Sequence, residues 1–190
     1  MTTAPETARL QPITLGHGRT ELEAFLEPTC PYSKRAFAKF QPLVDAVGDD
    51  KITVTIRFVS QPWHLFSGIV TRTILAASAA GGTETALKAM AGIYDRREAF
   101  EFEDHSHGPN MDRTPRDIVN AISDIAGMDL SAAFRWKSVG DAMRWHARYY
   151  RQNGVHTSPT FAVDRVIEPK MSSGQSIEEW TELLKPSFAG

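Results

Sequence analysis

The stretch Phe25-Leu26-Glu27-Pro28-Thr29-Cys30-Pro31-Tyr32-Ser33-Lys34 decides how this chain is read. Upstream of it, Leu22, Ala24 and Leu26 alternate with Glu21, Glu23 and Phe25. Phe25 breaks the polar side, as a strand buried on both faces tolerates. Glu27-Pro28-Thr29 ends that strand, and Cys30-Pro31 opens a helix, because proline is favoured where the first helical N–H would have no partner. Downstream, Phe37, Phe40, Leu43, Val44 and Val47 fall at helical spacing. Pro42 is expected to kink that helix and Gly48 to close it. Ile52 to Val59 is rich in Val, Ile and Thr and predicts a strand. Strand, helix, strand implies a parallel pair joined by a crossover helix.

Outward from this unit, Ile13 to Leu15 predicts a short strand, followed by the turn residues Gly16-His17-Gly18. From Trp63 to Gly154 the pattern becomes helix after helix. Ile69 to Ala80 is one, stopped by Gly81-Gly82, and Thr85 to Arg97 is the next. Phe100 to Asp112 is a polar loop. Thr114-Pro115-Arg116-Asp117 combines a capping Thr, a proline at the first position and an early acid, so a helix runs to about Ala126. A shorter helix near Ser131 and a longer one from about Val139 to Gln152 follow, with Gly154 as the stop. Thr160 to Val163 and Val166 to Glu168 form a hairpin around Asp164-Arg165. Ser176-Ile177-Glu178-Glu179 is a capping box that starts a last helix, ended by Pro186.

The chain has 190 residues, 42% of them hydrophobic, enough for one domain or one domain with a large insertion. A formal net charge of −2 gives no reason to expect nucleic acid or a membrane surface as partner. No apolar run approaches the roughly 20 residues that span a bilayer. Met1 to Gln11 is polar, lacks a basic-then-apolar signal pattern, and reads as a frayed start of a cytoplasmic, unprocessed protein. With a single cysteine there is no internal disulfide and no zinc site of several cysteines. The lone thiol permits a homodimer linked under oxidation.

What matters is where that cysteine sits. The first N–H groups of a helix lack intrahelical partners and the helix dipole adds positive potential; both favour a thiolate, the nucleophilic form. Lys34 and Arg35 add positive charge in the first turn, and Tyr32 stands ready to cover the sulfur or touch a substrate.

Cys30-Pro31-Tyr32-Ser33 resembles the Cys-Pro-x-Cys active-site motif of the DsbA-like branch of the thioredoxin superfamily. Val155-His156-Thr157-Ser158-Pro159-Thr160-Phe161 resembles that family's cis-proline loop. The likeness runs from about Leu22 to Leu184. It implies an α/β, thioredoxin-like fold with a central mixed sheet and an inserted all-helical domain. Residues 12–62 and 153–188 would form the thioredoxin-like domain and residues 63–152 the insert. It also implies catalytic roles for Cys30 and Ser33, and a substrate surface at Pro31, Tyr32, Ser158 and a cis Pro159. Ser33 stands where the family has its second, resolving cysteine. An internal disulfide is therefore ruled out, and monothiol chemistry remains: Cys30 attacks a disulfide and an outside thiol resolves the mixed disulfide. The substrate would be a thiol or disulfide, of a protein or of glutathione. Glutathione is the candidate co-substrate, and no tightly bound cofactor or metal is expected. The Ser33 hydroxyl would donate to the thiolate.

Three other functions compete. Kappa-type glutathione transferases and hydroxychromene-carboxylate isomerases share the helical insert and use a serine near the helix start, which would make Ser33 central and Cys30 incidental. A non-catalytic binding module, or a peroxide sensor working through a sulfenic acid, would also suit a single thiol. Asp104-His105-Ser106-His107 reads as a solvated loop rather than a metal site. His64, after Gln61-Pro62-Trp63, reads as a packing or capping histidine, with a place in the cleft as the alternative. Trp145, His146, Tyr149 and Tyr150 read as core aromatics, some of which line a groove between the two domains.

Overall fold

The computed structural model describes residues 6–188. The chain runs through β1 (Ile13–Gly16), β2 (Thr20–Leu26), α1 (Pro31–Phe37), α2 (Phe40–Val47), β3 (Ile52–Phe58) and α3 (Ser67–Asp95). It continues through α4 (Pro115–Ala126), α5 (Lys137–Gln152), β4 (Thr160–Val163), β5 (Val166–Ile167) and α6 (Ile177–Phe188). The five strands form one sheet in the order β1-β3-β2-β4-β5. β2 and β3 are parallel, and the other neighbours are antiparallel.

The central strand β2 is buried at six of its seven positions, all but Glu21. Leu22, Ala24 and Leu26 join Phe40, Leu43 and Leu184 in the main core. Glu23 and Phe25 project from the other face of the sheet, towards α5. There the Tyr149 hydroxyl donates to Glu23 Oε2 at 2.8 Å and Arg57 Nε donates to Glu23 Oε1 at 2.6 Å. The Tyr149 ring stacks on Trp145 with centroids 4.6 Å apart and lies 6.0 Å from the Phe25 ring. A buried carboxylate is tolerated where, as here, it is paired and hydrogen-bonded. Ile74, Met90, Ile93, Ile118, Ile122 and Val139 belong to the same continuous core as Leu22 and Ile56, so the helices between β3 and β4 are packed onto the sheet.

Several local expectations shift. Pro42 breaks the first helix ahead of itself rather than kinking it: α1 ends at Phe37 and α2 restarts at Phe40. Pro42 has no N–H for the Ala38 carbonyl, and its ring would press on that carbonyl; in the first turn of a new helix neither matters. Pro186 does not end α6, which continues to Phe188. The missing bond falls in the last turn, and the Ser187 carbonyl accepts from the Thr20 hydroxyl at 3.1 Å. The short helix expected near Ser131 is a single 3-10 turn at Ala133–Arg135. The two helices expected on either side of Gly81-Gly82 are both present within α3, divided by non-helical backbone at Gly82, whose φ is 78°. Within the start expected to be frayed, the Glu6 carbonyl accepts the Ser138 N–H at 2.9 Å; residues 1–5 lie outside the described part. Among the described residues no helix is long and apolar enough to cross a membrane.

Candidate active site

Cys30 sits at the carboxyl end of the central strand, in the turn that launches α1. Its N–H donates to the Glu27 carbonyl at 3.1 Å, and its own carbonyl accepts from Lys34 N–H at 3.0 Å. It is the N-cap of α1 in extended conformation, and its side chain makes no capping bond. The thiol is aimed elsewhere: Sγ–H donates to the Ser158 carbonyl at 3.7 Å. Cys30 is 4% exposed. The Ser158–Pro159 peptide is cis. The Ser158 hydroxyl donates to Gln61 Oε1 at 3.0 Å, so three separate segments meet at the sulfur's side of the sheet. Tyr32, next along the helix, is 56% exposed, with the Arg35 guanidinium 5.6 Å from its ring centre.

Ser33 is fully buried. Its hydroxyl oxygen accepts the Glu27 N–H at 3.2 Å, fastening the first turn of α1 to the end of β2. Its observed partner is therefore the strand end.

Behind the cysteine lie Glu27, Thr29 and His64, of which only His64 stood among the sequence candidates, with a place in the cleft as its alternative reading. Glu27 is fully buried. Its Oε2 accepts from the Thr29 N–H at 2.8 Å and from the Thr29 hydroxyl at 2.8 Å. Burial pushes this carboxyl up to about 7; the Thr29 hydroxyl and amide oppose the shift without cancelling it. The Ser67 hydroxyl adds a lowering influence second to that of the Thr29 hydroxyl. Even so, neither Ser67 Oγ nor Glu27 Oε1 completes a hydrogen bond. His64 Nδ1 lies 2.9 Å from Thr29 Oγ1 and 3.6 Å from Glu27 Oε2. Burial, with His105 and Arg97 nearby, lowers His64 to about 4. Between about pH 4 and 7 an acid pushed up beside a histidine pushed down leaves both neutral, so there they are not an ion pair and are joined only through Thr29. The Tyr94 hydroxyl donates to the Glu27 carbonyl at 3.5 Å. It is held well above its ordinary pKa by burial and by the neighbouring Glu27 and Cys30. In the sequence, the only trace of this cluster is a polar Glu27-Pro28-Thr29 at a strand end followed by His64 past the next strand.

The remaining candidates separate from the sulfur. His107 pairs with Glu103 at 3.7 Å, while the His105 ring meets that of His64 at 5.6 Å. Among the described residues no group of three or more His, Cys, Asp or Glu could hold a metal ion. His146 is half-buried against β3, its Nδ1 accepting the Phe58 N–H at 3.2 Å; desolvation there, helped by Arg57, lowers it to about 3. With Tyr150, Met143, Phe58 and Pro62 it lines a cavity of about 310 Å³ between α5 and the segment leaving β3.

The fold has counterparts among known structures. A proposed protein-disulfide isomerase from Pseudomonas syringae matches with a TM-score of 0.88 and 46% sequence identity, over 90% of this chain and 97% of that one. A thioredoxin-like oxidoreductase from Silicibacter pomeroyi DSS-3 matches at 20% identity and a TM-score of 0.67, over 93% and 92% of the two chains. The oxidoreductase DsbA from Xylella fastidiosa matches at 16% identity and 0.66, over 95% and 92%. No protein-family model and no curated protein matches the chain. The fold is therefore the thioredoxin-like fold of DsbA-type proteins, with a helical region inserted between β3 and β4. Within that class, the chain belongs to the family of the Pseudomonas syringae protein.

Proposed function

We propose that this chain is a thiol–disulfide oxidoreductase of isomerase type that works through one cysteine. The observation that carries the reading is the placement of Cys30 Sγ at the helix start, against the Ser158 carbonyl. The description of the 46%-identical relative as a protein-disulfide isomerase supports it. In the first step the Cys30 thiolate attacks one sulfur of a substrate disulfide. A Cys30–substrate disulfide forms, the substrate S–S bond breaks, and the departing thiolate takes a proton. A second thiol, either the substrate's own or glutathione, attacks the mixed disulfide and releases Cys30 as thiolate. Electrons balance without an outside oxidant, because one disulfide is exchanged for another. Pro31 and Tyr32 on one side and Ser158 and Pro159 on the other would form the surface that receives the substrate.

The test is exchange of a peptide disulfide in the presence of glutathione. Cys30→Ala is expected to abolish turnover, with Ser33→Ala retaining it in a less stable protein. Turnover lost in Ser33→Ala and kept in Cys30→Ala would overturn the reading in favour of serine-centred glutathione chemistry.

A further inference from the structure

We propose that Thr29 and His64 form a proton relay through which the buried Glu27 carboxyl exchanges its proton with the surface, making His64 a positioning residue for the Cys30 site. The link to turnover rests on Cys30 being the nucleophile; the relay itself does not.

The geometry is a continuous chain. Glu27 Oε2, Thr29 Oγ1 and His64 Nδ1 are joined by contacts of 2.8 and 2.9 Å. His64 then reaches the polar loop, where its ring meets His105. A threonine hydroxyl carries one proton, so the chain has two arrangements, in each of which His64 is neutral. With Glu27 protonated, Oε2–H donates to Thr29 Oγ1, Thr29 O–H donates to His64 Nδ1, and His64 carries its proton on Nε2. With Glu27 ionised, Thr29 O–H donates to Oε2 and His64 Nδ1–H donates to Thr29 Oγ1. The first becomes the second when each proton moves one step outward: Glu27 to Thr29, Thr29 to Nδ1, and the Nε2 proton to solvent. One proton leaves the buried carboxyl, one reaches water, and His64 is neutral at both ends.

The surroundings suit that cycle. Tyr94 from α3 faces Glu27 through the Glu27 carbonyl and stays protonated. Ser67 approaches from the start of α3. His105 and Arg97 face His64 and oppose a lasting positive charge on it. The Cys30 amide lies against the same carboxyl. A Glu27 carboxylate therefore repels the negative charge that Cys30 carries as it attacks, and a Glu27 carboxylic acid does not.

The experiment is nitrogen-15 NMR of histidine-labelled protein from pH 5 to 9, with His64 assigned by its loss in His64→Gln. His64 is expected to stay neutral and to pass from the Nε2–H to the Nδ1–H tautomer with a midpoint near pH 7, where burial places Glu27. Thr29→Val and Glu27→Gln should each remove that switch, and Thr29→Ser should restore it. In Cys30→Ala the switch should persist, so the relay is read independently of any disulfide exchange. One His64 tautomer throughout, in the native protein, would overturn the proposal. So would a switch unaffected by Thr29→Val. In turnover assays the limb near pH 7 should vanish in Glu27→Gln; native protein with the tautomer switch but no exchange would contradict the proposed function alone.

Discussion

The Cys30 sulfur and the Ser158 carbonyl oxygen lie 3.7 Å apart although 128 residues of chain separate them. Sheet register brings them together. β4 runs antiparallel to β2, with Phe25 opposite Thr160 as the last pair, so the residues just before Thr160 lie at the strand end from which the turn carrying Cys30 leaves. The long helical segment between β3 and β4 therefore returns the chain to the point where the thiol emerges.

Ser33→Cys should yield a reversible disulfide with Cys30, because the two positions lie one helical turn apart at the start of α1. Thiol titration of the oxidised variant should find none free; two free thiols would contradict the assigned helix-start geometry. The same position also bears on stability. Ser33→Ala leaves the buried Glu27 N–H without an acceptor and should cost about 1–3 kcal/mol in urea unfolding.

Glu27 makes stability depend on pH. In the folded protein its carboxyl titrates near 7, against an ordinary value of 4.5. Between those values the folded state holds the proton more tightly than the unfolded state. Stability therefore falls as pH rises from 4.5 to 7, by roughly 3 kcal/mol in all. Glu27→Gln should remove that loss. Compared with the native protein, it should gain stability at pH 8 relative to pH 5 in parallel denaturant titrations.

His146 acts at the acid end with the opposite slope. Its folded value is about 3, against an ordinary 6.5, so between them the unfolded state binds the proton and the folded state does not. Stability should fall as pH drops from 6.5 towards 3. The slope in that window should lessen by about one proton in His146→Leu. An unchanged slope would mean that His146 titrates normally in the folded protein.

Much of the fold was legible because it is written in local chemistry. Thr114 and Asp117 form both halves of a capping box, and Asp164 and Arg165 take the positive φ angles of a tight hairpin turn. Cys30-Pro31 marks the helix start by the absence of an N–H that would have had no partner. Pro42 and Pro186 show the limit of such rules. A proline's effect falls on the residue four before it, and tertiary contacts at either end decide whether the helix breaks or runs on. Of the Glu27–Thr29–His64 chain only the place of His64 in the cleft was legible, as an alternative reading. The hydrogen-bonded chain joins residues 35 apart, and neither periodicity nor capping signals carry information about which loop closes over which strand end. Ser33 was visible as the residue in place of a second cysteine, yet its bond to the Glu27 amide depends on how α1 leaves β2.

The central claim, that Cys30 is the nucleophile of a single-cysteine exchange, is tested most directly by trapping. The protein is mixed with glutathione disulfide, quenched with acid and analysed by intact and peptide mass spectrometry. One glutathione bound as a disulfide on Cys30 is expected, removed by added thiol and reached in native protein without denaturant. A thiol that stays unmodified until the protein is unfolded would contradict it and make Cys30 a buried structural residue.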